Sequence, residues 1–194
     1  MPDGQEDEQD VELILLDAEE RMQKSEEALE RDLRNIRSSR ATPAMAEHIS
    51  VEYYGEFVPL QQLANISVPE ARMLIISPFD KSAMGDIEKA ILKSDLNITP
   101  QNDGSIIRLI LPELSMERRR ELVKQVKGRV EEARVSIRNI RRDANDSLKK
   151  MTGSKGHSED EIKDAQEDVQ KLTDQFITKL EKIAEAKEKD ILTV

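Results

Sequence analysis

The stretch ERRRELVKQVKGRVEEARVSIRNIRRDANDSLKKM, residues 117–151, decides how the rest of the chain is read. Its apolar positions are Val123, Val126, Val130, Ala133, Ile137, Ile140, Ala144, Leu148 and Met151. They recur at steps of three and four, close to a heptad seam, which predicts one long amphipathic helix. Ser115 can cap it, with Arg118 where a capping box would place Glu. Gly128 interrupts the run at a cost of about 1 kcal/mol relative to Ala, and the long seam outweighs it. A helix of roughly 35 residues is about 50 Å long. With a single narrow stripe it is not stable alone in water, so it needs partners.

Two other stretches offer them. Leu15, Ala18, Met22, Leu29, Leu33 and Ile36 share a helical period, with Ser25 filling one slot, until SSRATP at 38–43, where Pro43 disfavours helix at Thr42. After the loop TGSKGH (152–157), Ser158 and Glu161 form a capping box. Ile162, Ala165, Val169, Leu172, Phe176, Leu180 and Ile183 then line one face almost to the C-terminus. The short loop makes the last two helices antiparallel neighbours, and the first helix must pair with them across everything between.

The intervening segment changes period. HISVEYYGEFVPL (48–60), LANISV (63–68) and RMLIISPF (72–79) read as strands. SAMGDIEKAILKSDL (82–96) reads as a helix capped by Ser82, with Met84, Ile87, Ala90 and Ile91 on its apolar face. A turn at Asn102-Asp103-Gly104 leads to a strand from Ile106 to Leu111. The expected architecture is α+β: a long antiparallel three-helix bundle, 11–38 and 115–194, interrupted by a small β/α/β domain at 41–112. Residues 1–10 are expected to be an acidic disordered tail. Hinges are expected at 38–40 and 113–115, where the connectors have little apolar content.

Composition suits this design. The chain has 194 residues, no Trp, five Phe and Tyr together, and 36% charged residues. So few aromatics favour helices buried along a stripe over a large compact core. The absence of Cys excludes disulfides, thiolate metal sites and cysteine nucleophiles. The acidic start MPDGQEDEQD resembles no targeting segment, and no apolar run approaches the ~18–20 residues of a membrane span. A cytoplasmic protein is expected, free of membrane.

Charge is segregated. Residues 116–151 hold twelve Lys and Arg against six acids, a balance of +6. The whole chain carries −10, so the remainder carries −16. Arg120, Lys124, Lys127, Arg134, Arg138 and Arg141 form one stripe beside the apolar seam. Arg offers a planar fork suited to phosphate oxygens. With few aromatics nearby, contact with the backbone and shape of a folded RNA is implied rather than base stacking. The same stripe could instead pair with acids of the neighbouring helices, as in coiled coils. Charge alone leaves both readings open.

Other motifs fail. DANDS (143–147) begins like a calcium loop, but Leu148 stands where Gly is needed and Ser154 where Glu is needed. GSKGHS (153–158) lacks phosphate-loop spacing, and His48 and His157 have no metal-ligand spacing around them. Tyr53-Tyr54 offers a stacking ring, but strand alternation turns one of the two inward. Acids are abundant without any pair that stands out as an acid–base site. No enzyme, cofactor or metal is expected.

RNIRRDAND (138–146), ERRRELVKQVKGRVEEARVSIRN (117–139), VEYYG (51–55), PLQQLA (59–64), EKAI and SDL (88–91, 94–96) and EDVQKLTD (167–174) together resemble bacterial ribosome recycling factor, in order, from about residue 11 onward. The resemblance implies an L-shaped, monomeric, non-enzymatic protein. It would act after translation termination with elongation factor G. GTP hydrolysis by that partner would split the subunits and release messenger RNA. The bundle would lie on RNA of the large (50S) ribosomal subunit. The RNA contacts would fall on Arg138, Arg141, Arg142 and Arg119, with Lys124 and Arg134 sharing the stripe. The hinges would be Ser38, Ser39 and Arg40, and Glu113, Leu114 and Ser115. Here the chain reads Ser38-Ser39-Arg40-Ala41 where the family commonly has TGRA. The competing expectation is a coiled-coil adaptor whose basic helix is paired internally. A hydrolase using carboxylates of the small domain is the third.

Overall fold

A computed structural model describes the backbone of residues 3–152 and 157–192, and side chains from residue 11 within those ranges. The element order is α1 (Asp3–Arg34), α2 (Ala44–Glu47), β1 (Ser50–Tyr53), β2 (Glu56–Pro59), α3 (Leu60–Leu63), β3 (Ala64–Glu70), β4 (Met73–Pro78), α4 (Met84–Lys93), β5 (Gln101–Asn102), β6 (Ile107–Ile110), α5 (Met116–Met151) and α6 (Glu159–Leu192). The fold is α+β, dominated by the three long helices. The chain divides into two compact units. One comprises Met1–Ile36 with Arg120–Lys189, the other Arg37–Arg119 with Asp190–Val194.

In the first unit α1, α5 and α6 face one another along their apolar seams. Ser25 of α1 meets Ser136 of α5 at 2.8 Å, and Arg21 meets Asp143 at 3.1 Å, so α1 and α5 run antiparallel. Arg134 lies 3.6 Å from Glu181, and Arg141 donates to Gln170 at 3.5 Å, so α5 and α6 are antiparallel as well. Ala18, Met22, Leu29 and Leu33 of α1 are buried, as are Ile137, Ile140, Ala144 and Leu148 of α5 and Val169, Phe176 and Leu180 of α6. Fully burying one such large side chain is worth about 1.5–3 kcal/mol. Repetition along three rods replaces a thick core. Ser25, the polar slot in the first stripe, is accommodated by its hydroxyl partner across the interface.

Three local details depart from the expected pattern. At the start of α5 the buried residue is Leu122, and Val123 is only partly covered. On α6 the buried position is Thr173 rather than Leu172. Its hydroxyl donates to the Val169 carbonyl at 2.8 Å, which satisfies it without leaving the seam. α1 takes in residues 3–10, the stretch read as a disordered tail. The expected loop at 153–156 lies outside the described residues. The capping box beyond it forms reciprocally: Glu161 N–H donates to Ser158 Oγ and Ser158 N–H to Glu161 Oε2, both at 3.2 Å.

The second unit builds a compact core. β1 and β2 form a hairpin closed by Tyr54 and Gly55, both at positive φ (50° and 81°), as a two-residue type I′ turn requires. β3, β4, β6 and β5 form an antiparallel sheet in that order. Pro69 sits on edge strand β3 within a register shift between Ser67 and Glu70, where a missing N–H is tolerated. α4 buries Met84, Ile87 and Ile91 against Val51, Leu60, Leu74, Ile76, Ile107 and Leu109. Its cap differs from expectation. Asp80, not Ser82, is the capping side chain, accepting from Ser82 N–H at 2.9 Å at the head of a single 3₁₀ turn that leads into the helix. Tyr53 is the inward-turned tyrosine of its pair and Tyr54 is exposed.

Candidate nucleic-acid interface

The phase of α5 decides what each of its cations can do. Its buried seam runs Arg119, Leu122, Val126, Val130, Ala133, Ile137, Ile140, Ala144, Leu148 and Met151. Arg120, Lys127, Arg134, Arg138 and Arg141 each follow a seam residue by one position. They form a ridge along one border of the seam. Arg134 and Arg141 reach side chains of α6, so this border faces α6, whereas Ser136 and Asp143 face α1.

The ridge is graded. Arg134 has about a third of its side chain exposed (31%) and lies between two carboxylates, Glu131 at 3.4 Å and Glu181 at 3.6 Å. Arg138, 51% exposed, lies 3.5 Å from Glu131. Arg141 is half-buried and bonded to the neutral Gln170. Arg142 and Lys124 are exposed and, among the described residues, have no ion-pair or hydrogen-bond partner. Exposed pairs of this kind contribute about 0–1 kcal/mol. A charged hydrogen bond to phosphate is worth roughly 1.5–3 kcal/mol. Exchanging the first for the second is therefore favourable. The internal-pairing alternative describes Arg134 in part and does not describe Arg142.

Arg119 is different. Its side chain is only 7% exposed; Nη1 donates to the Leu192 carbonyl at 3.3 Å, and Nη2 lies 4.0 Å from Glu113. Its Nε is buried without a hydrogen-bond partner. Arg119 was expected among the phosphate contacts; a guanidinium closed off in this way offers no open fork to an external anion. The signal was in the sequence, since Arg119 precedes Leu122 by three and falls on the seam.

The hinge candidates lie on irregular backbone between elements. Ser39 is buried at 3% exposure, while Ser38 and Leu114 are partly exposed. Arg40 pairs with Asp190 at 3.0 Å. Ser115 caps α5 by accepting from Arg118 N–H at 3.1 Å.

Two carboxylates of the small unit, Asp80 and Asp103, behave as caps. Asp80 is held below the usual carboxylate range by hydrogen bonds from Ser82, then from Tyr53, whose own pKa is raised by the same contact. Asp103 is lowered by the backbone N–H groups of Ile106 and Ser105, with Arg108 adding a smaller part. A general acid needs the opposite shift. Among the described residues no group of His, Asp or Glu is arranged to hold a metal. No helix among them is long and apolar enough to cross a membrane.

Comparison with known proteins agrees with the geometry. The profile of the ribosome recycling factor family matches residues 29–192. The ribosome-recycling factor of Halalkalibacterium halodurans is 58% identical over 181 residues, covering 93% of this chain and 98% of that one. That of Bacillus subtilis is 51% identical with the same coverage. A solution structure of the ribosome recycling factor superposes with a TM-score of 0.73 at 46% identity, covering 95% of this chain and 98% of that one. Models of the T. thermophilus ribosome recycling factor with E. coli elongation factor G on the E. coli post-termination complex match with a TM-score of 0.63 at 45% identity, covering 94% and 98%. The chain belongs to the ribosome recycling factor family.

Proposed function

We propose that the chain binds the post-termination ribosome and, together with elongation factor G and that partner's GTP hydrolysis, separates the subunits and frees messenger RNA. It performs no bond chemistry itself and acts in the cytoplasm, where ribosomes are. The observation that carries the site assignment is the arginine cluster near the C-terminal end of α5, where Arg138 and Arg142 are exposed and the half-buried Arg141 meets only a neutral amide. Lys124 and Arg134 extend it towards the helix start. These groups anchor the bundle on phosphates of large-subunit RNA. The segments 38–40 and 113–115 let the inserted unit move while the anchor holds. Because Ser39 is buried and Arg40 is paired, Ser38 and Leu114 are the positions freest to turn.

A subunit-splitting assay with elongation factor G and GTP tests this reading. The double substitution Arg141→Ala and Arg142→Ala should abolish most splitting at low factor concentration, and excess factor should restore it, because anchoring is weakened rather than the later step. Failure of excess factor to restore splitting would move these residues out of the anchor.

A further inference from the structure

The basic ridge of α5 has one gap. Arg120, Lys124 and Lys127 lead towards Arg134, Arg138 and Arg141, and the heptad position between the two groups holds an acid, Glu131. Its carboxylate is shared by the next two arginines. Oε2 accepts from Arg134 Nη1 at 3.4 Å, and Oε1 lies 3.5 Å from Arg138 Nη1. Glu131 is itself 54% exposed. Ion pairs this wet add little to folding, so stability does not account for a carboxylate at that point. Its effect on an approaching polyanion is larger. It places a negative charge inside the ridge and occupies the two forks nearest to it. The occupancy falls along the helix: two carboxylates at Arg134, one at Arg138, a neutral amide at Arg141 and nothing at Arg142.

We propose that Glu131 is a specificity-determining residue of the RNA interface: it withholds Arg134 and Arg138 from generic phosphate backbone. This rests on the reading of the α5 ridge as an RNA contact. An arbitrary duplex presents one or two phosphates to the ridge and gains little by exchanging one Glu131 contact for one phosphate contact. An RNA surface that engages Arg141, Arg142 and Lys124 at once holds phosphates against Arg134 and Arg138 long enough to displace the carboxylate. Glu131 thus favours extended, shape-matched RNA over single-contact binding.

Glu131→Gln tests this at constant size. Binding would be measured by fluorescence anisotropy, across a salt series, to an RNA duplex of arbitrary sequence and to purified large ribosomal subunits. For the variant, duplex affinity should rise about 5–10-fold, and the slope of log K against log salt should steepen by roughly one phosphate contact. Affinity for the large subunit should rise by less than about 2-fold, so discrimination falls. Unchanged duplex affinity and slope would overturn the proposal. So would loss of affinity for both targets, which would make Glu131 a positioning residue. Arg138→Ala and Arg141→Ala run alongside. If neither weakens large-subunit binding, the interface reading itself fails. If both weaken it while Glu131→Gln leaves the duplex unaffected, only the role given to Glu131 fails.

Discussion

The first turn of α5 and its stretch from Arg138 to Arg142 use the same side chain to opposite ends. Arg119 lies on the buried seam and donates to the Leu192 carbonyl at the end of α6. There it serves a helix C-terminus, where cations are favoured and orphan carbonyls need donors. Arg142 stands on the outer face with its whole fork free. A cluster of like residues in the sequence is therefore not one functional unit. Helical phase divides it into an enclosed cation and exposed ones, and if the exposed ones are the proposed RNA contacts the two should respond differently to the same substitution.

The largest expected effect is on the structural side. Arg119→Ala removes the donor from the Leu192 carbonyl and leaves a void where a buried side chain stood, and should cost about 2–3 kcal/mol in urea unfolding. Arg119→Met, which refills the space, should recover part of that loss. If Arg119→Ala instead melts like the parent chain and binds large subunits more weakly, the division proposed for α5 is wrong.

On the recognition side, Arg141→Ala should weaken binding to the large subunit by about 1–3 kcal/mol. Its melting temperature should stay within a few degrees of the parent, and the salt slope should be shallower by roughly one contact. A clear drop in thermal stability would return Arg141 to the internal-pairing reading.

Gly128 sharpens the comparison from the middle of the helix. It is exposed, and an added Cβ would meet nothing within 4 Å. Gly128→Ala should raise stability by about 0.5–1 kcal/mol. Unchanged stability would show that the helix is held there by packing alone.

The smallest effect concerns acid. Asp80 and Asp103 have folded-state pKa values below their ordinary ones. Such groups stabilise the fold above the unfolded pKa, and that contribution is lost as pH falls through the lowered folded value. Asp80→Asn and Asp103→Asn should each flatten the acid limb of a stability–pH profile below about pH 4. An acid limb identical to the parent's would remove both caps from the account.

Much of the architecture was legible because period is a local property. Steps of three and four from Ala18 to Leu33 and from Val126 to Met151 can arise only on helices with one wet face. The capping box at Ser158 and Glu161 and the cap at Ser115 are equally local, and they form where the residues place them. Less legible were the choices between neighbours: Leu122 over Val123, Thr173 over Leu172, Asp80 over Ser82. Each pair offers two acceptable residues one or two positions apart, and the choice depends on what another element presents.

By itself the sequence determined the three rods, the inserted sheet unit and the concentration of positive charge on one helix, because these follow from spacing and composition along a single chain. Only the tertiary structure decided what closes over Arg119 and which groups of α6 the exposed ridge meets. Glu181, Gln170 and the Leu192 carbonyl come to those arginines through packing, whereas Glu131 meets Arg134 and Arg138 along α5 itself; what another helix presents is not encoded in the period of the helix that carries the charge.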